Sequence, residues 1–319
     1  MSEIPKPKLS VIVIIGELRD RAQKSIRALE DQTTTDPIEI IIIDLAPPEE
    51  APLQICRPDR VIYHRESTDL TLASAKRLGV HLAKSDLVAF VEDHCYVSPN
   101  WAEAVIDAYQ TGNWSIIGFA FHNANTQYWL SRQAFFFDFA MAKAPTASGI
   151  QSGVPCNNIA FKKQFLLDFE QRYGDLPFPE VIYQEYCAHE DIPVYLEGRA
   201  EASHDNFIDL PNMVKIHFIV CHLIASNRTK LWQWSLPRRL FYSIAVIPGA
   251  PILKLIRLMA FVHRRRLGWG NFFTALPVIL TDYIIAAWGE SLGYIYRLPS
   301  ASTWCTRWEL STPRLKDKK

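Results

Sequence analysis

Glu92, Asp93 and His94 end an apolar run, Leu87-Val88-Ala89-Phe90-Val91, with two carboxylates and an imidazole. Carboxylate oxygens beside an imidazole nitrogen suit a divalent cation, and a divalent cation suits a diphosphate. An uninterrupted apolar run predicts a strand buried on both faces, as in a parallel sheet. Ligands of open α/β sheets lie beyond the carboxyl ends of such strands, which is where these three residues fall. The plain alternative is a strand-to-loop corner whose acids are solvated. Other residues of interest are Asp44, which ends a second apolar run, and Glu180, at a helix start after Pro179. His204 and the pair Asn157-Asn158 have structural alternatives: a packed histidine in the first case, turn chemistry in the second.

These residues need elements to hold them. Leu9–Gly16 is rich in β-branched residues and reads as a first buried strand, followed by a helix over 21–32. Ile38–Asp44 is a second strand and Val61–His64 a third. Thr71 caps a helix running to about Lys84, before the strand that reaches Glu92. Apolar strands alternating with helices predict an α/β sheet with mostly parallel strands and helices on both faces. A dinucleotide-binding domain would carry G-x-G-x-x-G after the first strand. Gly16-Glu17-Leu18-Arg19-Asp20-Arg21 keeps only the first glycine. The same segment is a poor phosphate loop for a nucleotidyltransferase. Further on come a helix from Trp101, a strand over 114–122, an aromatic-rich helix within 123–147, a short strand ending at Lys162, and a strand over 193–197.

The first strand, the strand ending in Asp44, the stretch Ala75-Lys76-Arg77-Leu78-Gly79-Val80 and Phe90-Val91-Glu92-Asp93-His94 together resemble family 2 glycosyltransferases. The resemblance covers roughly residues 9–207. It implies a GT-A-like nucleotide-binding sheet and transfer of a sugar from a nucleotide-diphosphosugar, with a UDP-sugar favoured, to an acceptor hydroxyl. On that resemblance Asp44 holds the nucleobase, and Glu92 and Asp93 serve the donor. Asp93, His94 and His204 hold a divalent metal, Mn or Mg, with His94 standing where the family usually has an aspartate. Glu180 is the catalytic base of an inverting transfer, and Asn157 and Asn158 lie on the acceptor side. The competing readings are a catalytically silent member kept as a binding protein and another nucleotide-binding transferase.

The zero net charge conceals a division. Residues 1–209 hold 18 Lys/Arg against 30 Asp/Glu, and residues 210–319 hold 16 against 4. Such asymmetry points the basic part at a membrane or a nucleic acid. Its basic residues are interleaved with long apolar runs, 240–262 and 272–288, which favours lipid over nucleic acid. The first run is broken by Pro248, Pro251, Lys254 and Arg257, and the second holds Asp282. Helices lying in the membrane interface therefore fit better than clean spans. The expected division is a glycosyltransferase domain over 1–209, a membrane-associating helical region over 210–299 and a partly disordered polar tail over 300–319. The expected acceptor is a saccharide or a lipid-linked molecule. The six cysteines show no metal-binding spacing, and Met1–Lys8 has no apolar signal core. The expected location is accordingly the cytoplasmic side of a membrane, peripheral or partly embedded.

Overall fold

The computed structural model describes residues 5–174, 176 and 179–314. Met1–Ile4, Pro177 and Phe178 of the expected hand-over to the Glu180 helix, and the tail beyond residue 314 lie outside the described residues. The chain opens with β1 (Leu9–Ile15), α1 (Arg19–Glu30), β2 (Ile38–Asp44), β3 (Val61–Arg65), α2 (Leu72–Leu82) and β4 (Leu87–Phe90), in the order expected. These four strands are parallel and lie side by side as β3-β2-β1-β4. Every residue of β1 and β2 is buried, so neither strand can alternate apolar with polar. The step from β1 to β2 and the step from β3 back to β4 cross the sheet in opposite directions. Right-handed crossovers then set α1 and α2 on opposite faces. Thr71 caps α2 by accepting the Ser74 amide at 3.2 Å.

The chain continues through β5 (Cys95–Val97), α3 (Trp101–Thr111), β6 (Ile116–Asn123) and α4 (Trp129–Asp138). β7 (Gly149–Gln151), β8 (Ile159–Lys162), α5 (Lys163–Tyr173), α6 (Glu180–His189) and β9 (Val194–His204) follow. The sheet extends as β4-β8-β6-β9-β5, with β8 antiparallel to both neighbours and β7 beside β9. β9 runs well past the expected end at residue 197. Phe119 lies opposite Glu197, but Ala120 lies opposite Glu201. Residues 198–200 therefore form a bulge, which bends the strand. Before the bulge β9 pairs with β7, and after it with β5, where His204 lies opposite Cys95. The bulge thus brings His204 to the chain just beyond His94.

Four helices close the chain: α7 (Leu210–Leu231), α8 (Leu236–Arg265), α9 (Trp269–Ile295) and α10 (Ala301–Ser311). The segment expected to be disordered is thus helical through Ser311. Ala301, Cys305 and Trp308 recur at helical spacing and pack on Ile216 and Leu223 of α7. Leu258 and Val262 of α8 pack on Phe272, Ala275 and Ile279 of α9. α9 in turn lies close on α7: a Cβ on Gly289 would stand 2.2 Å from the Phe218 carbonyl oxygen, and one on Gly293 2.3 Å from that of His222. Arg228 of α7 ties the assembly together by donating to Glu185 of α6 and to Glu290 of α9.

Because the Gly289 contact is to backbone, it cannot relax by a rotamer change. Gly289→Ala is expected to lower unfolding free energy by about 1–3 kcal/mol through overpacking. Gly249→Ala, in α8 with open space around it, should instead gain up to about 1 kcal/mol of helix propensity. Urea unfolding followed by circular dichroism measures both.

Candidate functional site at the mouth of the sheet

The residues after β4 turn inward. Asp93 and His94 are almost fully buried, and Glu92 is mostly so. Glu92 is fixed to Asn158 through both its backbone and its carboxylate. Its own amide donates to Asn158 Oδ1 at 2.7 Å, and Asn158 Nδ2 donates back to Glu92 Oε2 at 2.7 Å. The register explains the pairing: Phe90 lies opposite Ile159 on antiparallel β8, so Asn158 meets the chain just past β4. Asn158 is therefore a buried support for Glu92. Asn157 beside it lines the adjoining cavities.

Two imidazoles converge on the same carboxylate oxygen. His204 Nε2 lies 3.2 Å and His94 Nε2 3.6 Å from Glu92 Oε2. The two rings pack edge-on with centroids 4.7 Å apart. One donor atom from each of Glu92, His94 and His204 falls within a 4.8 Å cluster. Asp93, also expected among the ligands, faces elsewhere. It pairs with the buried Arg21, Nε to Oδ2 at 3.1 Å, and meets His94 Nδ1 at 3.0 Å. That contact puts the His94 proton on Nδ1, donated to Asp93, and leaves the Nε2 lone pair free. His204 Nδ1 is likewise held by Asn206 Oδ1 at 3.2 Å. Carboxylate or amide partners behind a ligating histidine are the usual means of aiming it.

The electrostatics agree with this geometry. Burial pushes the His94 imidazole down to about 3, so it is neutral near pH 7. Burial also pushes the Asp93 carboxyl up to about 6, against the pull of Arg21. Burial works against an ionised Glu92 as well, but His94, His204 and Lys76 together hold it well below the usual carboxylate range. His94 Nε2 is buried without a hydrogen-bond partner. An orphaned, neutral, buried nitrogen beside an ionised carboxylate and a second imidazole fits a divalent metal ion. A set of two nitrogens and one oxygen suits Zn²⁺ or Mn²⁺ better than Mg²⁺, which prefers oxygen.

Glu180 opens α6 and is 1% exposed. Lys76 of α2 reaches its Oε1 at 2.5 Å. The same lysine lines the cleft of Glu92, Asp93 and His94. Burial alone would weaken the Lys76 ammonium, yet Glu180, Glu92 and Glu309 raise its pKa. Glu180 Oε2 is left buried and unpartnered. One side chain, Lys76, thus separates Glu180 from the Glu92 cluster. Asp44 is fully buried and fully engaged by Arg19, by Tyr63, whose hydroxyl donates at 2.5 Å, and by the Ala46 amide.

The residues that sequence alone does not single out are Arg21, Asn206 and Glu309. Arg21 and Glu309 reach the site from distant elements, while Asn206 follows His204 by two residues. Glu309 Oε1, from α10, lies 3.6 Å from His94 Nε2. A cavity of about 210 Å³ adjoins the cluster on the other side, with Asp138, Asn157, His204, His217 and Arg314 in its wall. Asn158→Ala is expected to weaken Mn²⁺ or Zn²⁺ binding by about 10–100-fold, as losses behind a ligand do. Calorimetric titration of wild type and variant with each metal checks this.

Comparison with known proteins bears on the same segment. No curated protein sequence shows significant similarity to the chain. Among solved structures, S. aureus TarS residues 1–349 aligns over 89% of this chain and 90% of that one, at 12% identity and a TM-score of 0.47. The profile of glycosyl transferase family 2 matches residues 10–166. That match runs from β1 into the first turn of α5, the stretch that carries Asp44, Lys76 and Glu92 through Asn158, and residues 10–166 are thereby identified as a glycosyl transferase family 2 domain.

Proposed function

We propose that the chain transfers a sugar, with inversion, from a nucleotide-diphosphosugar to an acceptor hydroxyl at a membrane surface. The observation that carries this reading is Glu180: buried at a helix N-terminus, held by Lys76 on one oxygen, with Oε2 free. The helix N-terminus and Lys76 both present positive charge to the carboxylate. Oε2 takes the proton of the acceptor hydroxyl as that oxygen bonds to the anomeric carbon. The bond from the anomeric carbon to the diphosphate breaks, and the nucleoside diphosphate leaves from the opposite face. Lys76 stands between base and cluster, where it also offsets charge on the leaving group. Glu92, His94 and His204 would hold a divalent ion, whose chemistry is to neutralise diphosphate charge. Asp93 keeps His94 in the ligating tautomer. Asp44 acts on the nucleobase through Arg19 and Tyr63, which it positions. The 210 Å³ cavity beside Asn157 takes the acceptor, and a UDP-sugar is the favoured donor.

The α/β domain over 1–209 is then seated on lipid by residues 210–299. α8 and α9 are both long and apolar enough to cross a membrane. The outward side of α8 presents Phe241, Ile244, Ile252, Leu253 and Ile256, each more than half exposed. Arg238 and Arg239 flank this surface at one end, and Arg264, Arg265 and Arg266 at the other. Apolar residues between basic ends fit an anionic bilayer surface. Beside the α8–α9 turn, a cavity of about 500 Å³ is lined by Trp129, Arg132, Lys143 and Asn271 and by no carboxylate. Such a lining suits an anionic headgroup, in keeping with a lipid-linked acceptor on the cytoplasmic side.

Glu180→Gln should reduce transfer by about 10²–10⁴-fold while leaving donor affinity within twofold (about 0.4 kcal/mol). Transfer from a panel of nucleotide-sugars, with nucleotide binding measured separately, tests this. Normal turnover by the variant would sink the assignment. Separately, the protein should co-sediment with phosphatidylglycerol-containing vesicles and not with phosphatidylcholine alone. Replacing Arg264, Arg265 and Arg266 by Glu should abolish that binding, and equal binding by the variant would count against the basic surface.

A further inference from the structure

We propose that the C-terminal helix occupies the donor site, with the Glu309 carboxylate standing in for the donor's diphosphate, so that α10 and the nucleotide-sugar compete for one cleft. The inference rests on the donor reading above and adds its regulation. The cleft between the end of β1 and Glu92–His94 is walled on one side by Glu309 and Leu310. Only about 40 Å³ remains open there, against the roughly 300–1,000 Å³ typical of small-molecule sites. Leu310 sits so close over Gly16 that a Cβ on the glycine would stand 2.5 Å from the Leu310 Cβ. Gly16 follows β1, at the carboxyl edge where a sheet of this kind takes its ligand.

Glu309 sits among groups that attract anions. It lies 3.1 Å from the Arg314 guanidinium, and its charge is felt at Lys76; the neutral His94 Nε2, 3.6 Å away, joins them only once it holds a cation. A diphosphate entering the cleft seeks these same groups. The rest of the attachment is polar. Arg21 donates to the Glu309 carbonyl at 2.6 Å and to that of Thr312 at 3.1 Å. The Leu72 amide at the start of α2 donates to Thr306 Oγ1 at 2.8 Å. Arg307 pairs with Asp69 at 3.1 Å on an exposed edge. Exposed pairs contribute little, so this outer edge is a weak point from which the helix can lift.

Hydrogen exchange of the full chain tests the proposal, with uridine, guanosine, cytidine, adenosine and thymidine diphosphates plus Mn²⁺ as probes. The nucleotide that binds should raise exchange over residues 301–311 at least tenfold. Leu310→Ala should bind that nucleotide about tenfold more tightly by calorimetry. Arg307→Glu, which sets two like-charged residues face to face away from the cleft, should move affinity the same way and serves if Leu310→Ala fails to fold. Binding with unchanged α10 protection and unchanged affinity in both variants would overturn the competition while leaving the donor site standing. Failure of every diphosphate to bind wild type and both variants would overturn the donor reading, and the competition with it.

Discussion

A charged carboxylate that sits inside a protein must be answered by neighbours, and at the end of β4 that demand organises the molecule. Glu92 is ionised in a nearly dry place. It is answered by the side-chain amide of Asn158 just before β8, an imidazole from β9, an imidazole from its own turn and a lysine from α2. Each group comes from a different element. The antiparallel β4–β8 register, the bulge in β9 and the packing of α2 on β1 all serve to bring a partner or a positive charge to one carboxylate. Removing one such partner from a buried charge is far more damaging than any single surface contact. The site is therefore as much a structural keystone as a chemical centre.

Behind the cluster stands a second tier of polar groups with the same logic. Arg21 answers Asp93, Asp93 orients His94, and Asn206 orients His204. Asn206 is itself held by Asn123 and Asn125, and Asn125 reaches the Arg314 carbonyl. Buried amides of this kind repay their desolvation only when every hydrogen bond is made. The network thus locks the end of β6, the end of β9 and the chain beyond α10 into one arrangement.

Much of the parallel half was legible because it obeys a local rule. β1 and β2 are buried on both faces, so their sequences are apolar apart from Ser10 and Glu39 near their starts and Asp44 at the end of β2, and strand identity follows without tertiary knowledge. The adjacent triplet Glu92-Asp93-His94 was legible for the same reason, since its chemistry is contiguous. Its division of labour was not. That Asp93 turns to Arg21 while Glu92 gathers the imidazoles depends on the β4–β8 register and on a helix that starts some seventy residues earlier. β9 outran its expected end because its bulge keeps pairing alive across Gly198, which reads locally as a break. α10 is not evident from sequence because its apolar residues share no single stripe: Ala301, Cys305 and Trp308 pack on α7, Leu310 turns to the sheet, and Trp304 stays partly exposed. α7 is buried only in patches and carries no strong periodicity of its own.

Arg21 has one further implication. Its guanidinium is shared between Asp93, which sets the proton position on His94, and the carbonyls of Glu309 and Thr312, which anchor the last helix. Two equilibria that meet on one side chain are thermodynamically reciprocal. Whatever free energy the docked helix lends to an ion-ready His94, an ion on His94 must return, in equal measure, to the docked helix. The change in cation affinity on seating the helix and the change in seating on binding the cation are thus two readings of one coupling free energy.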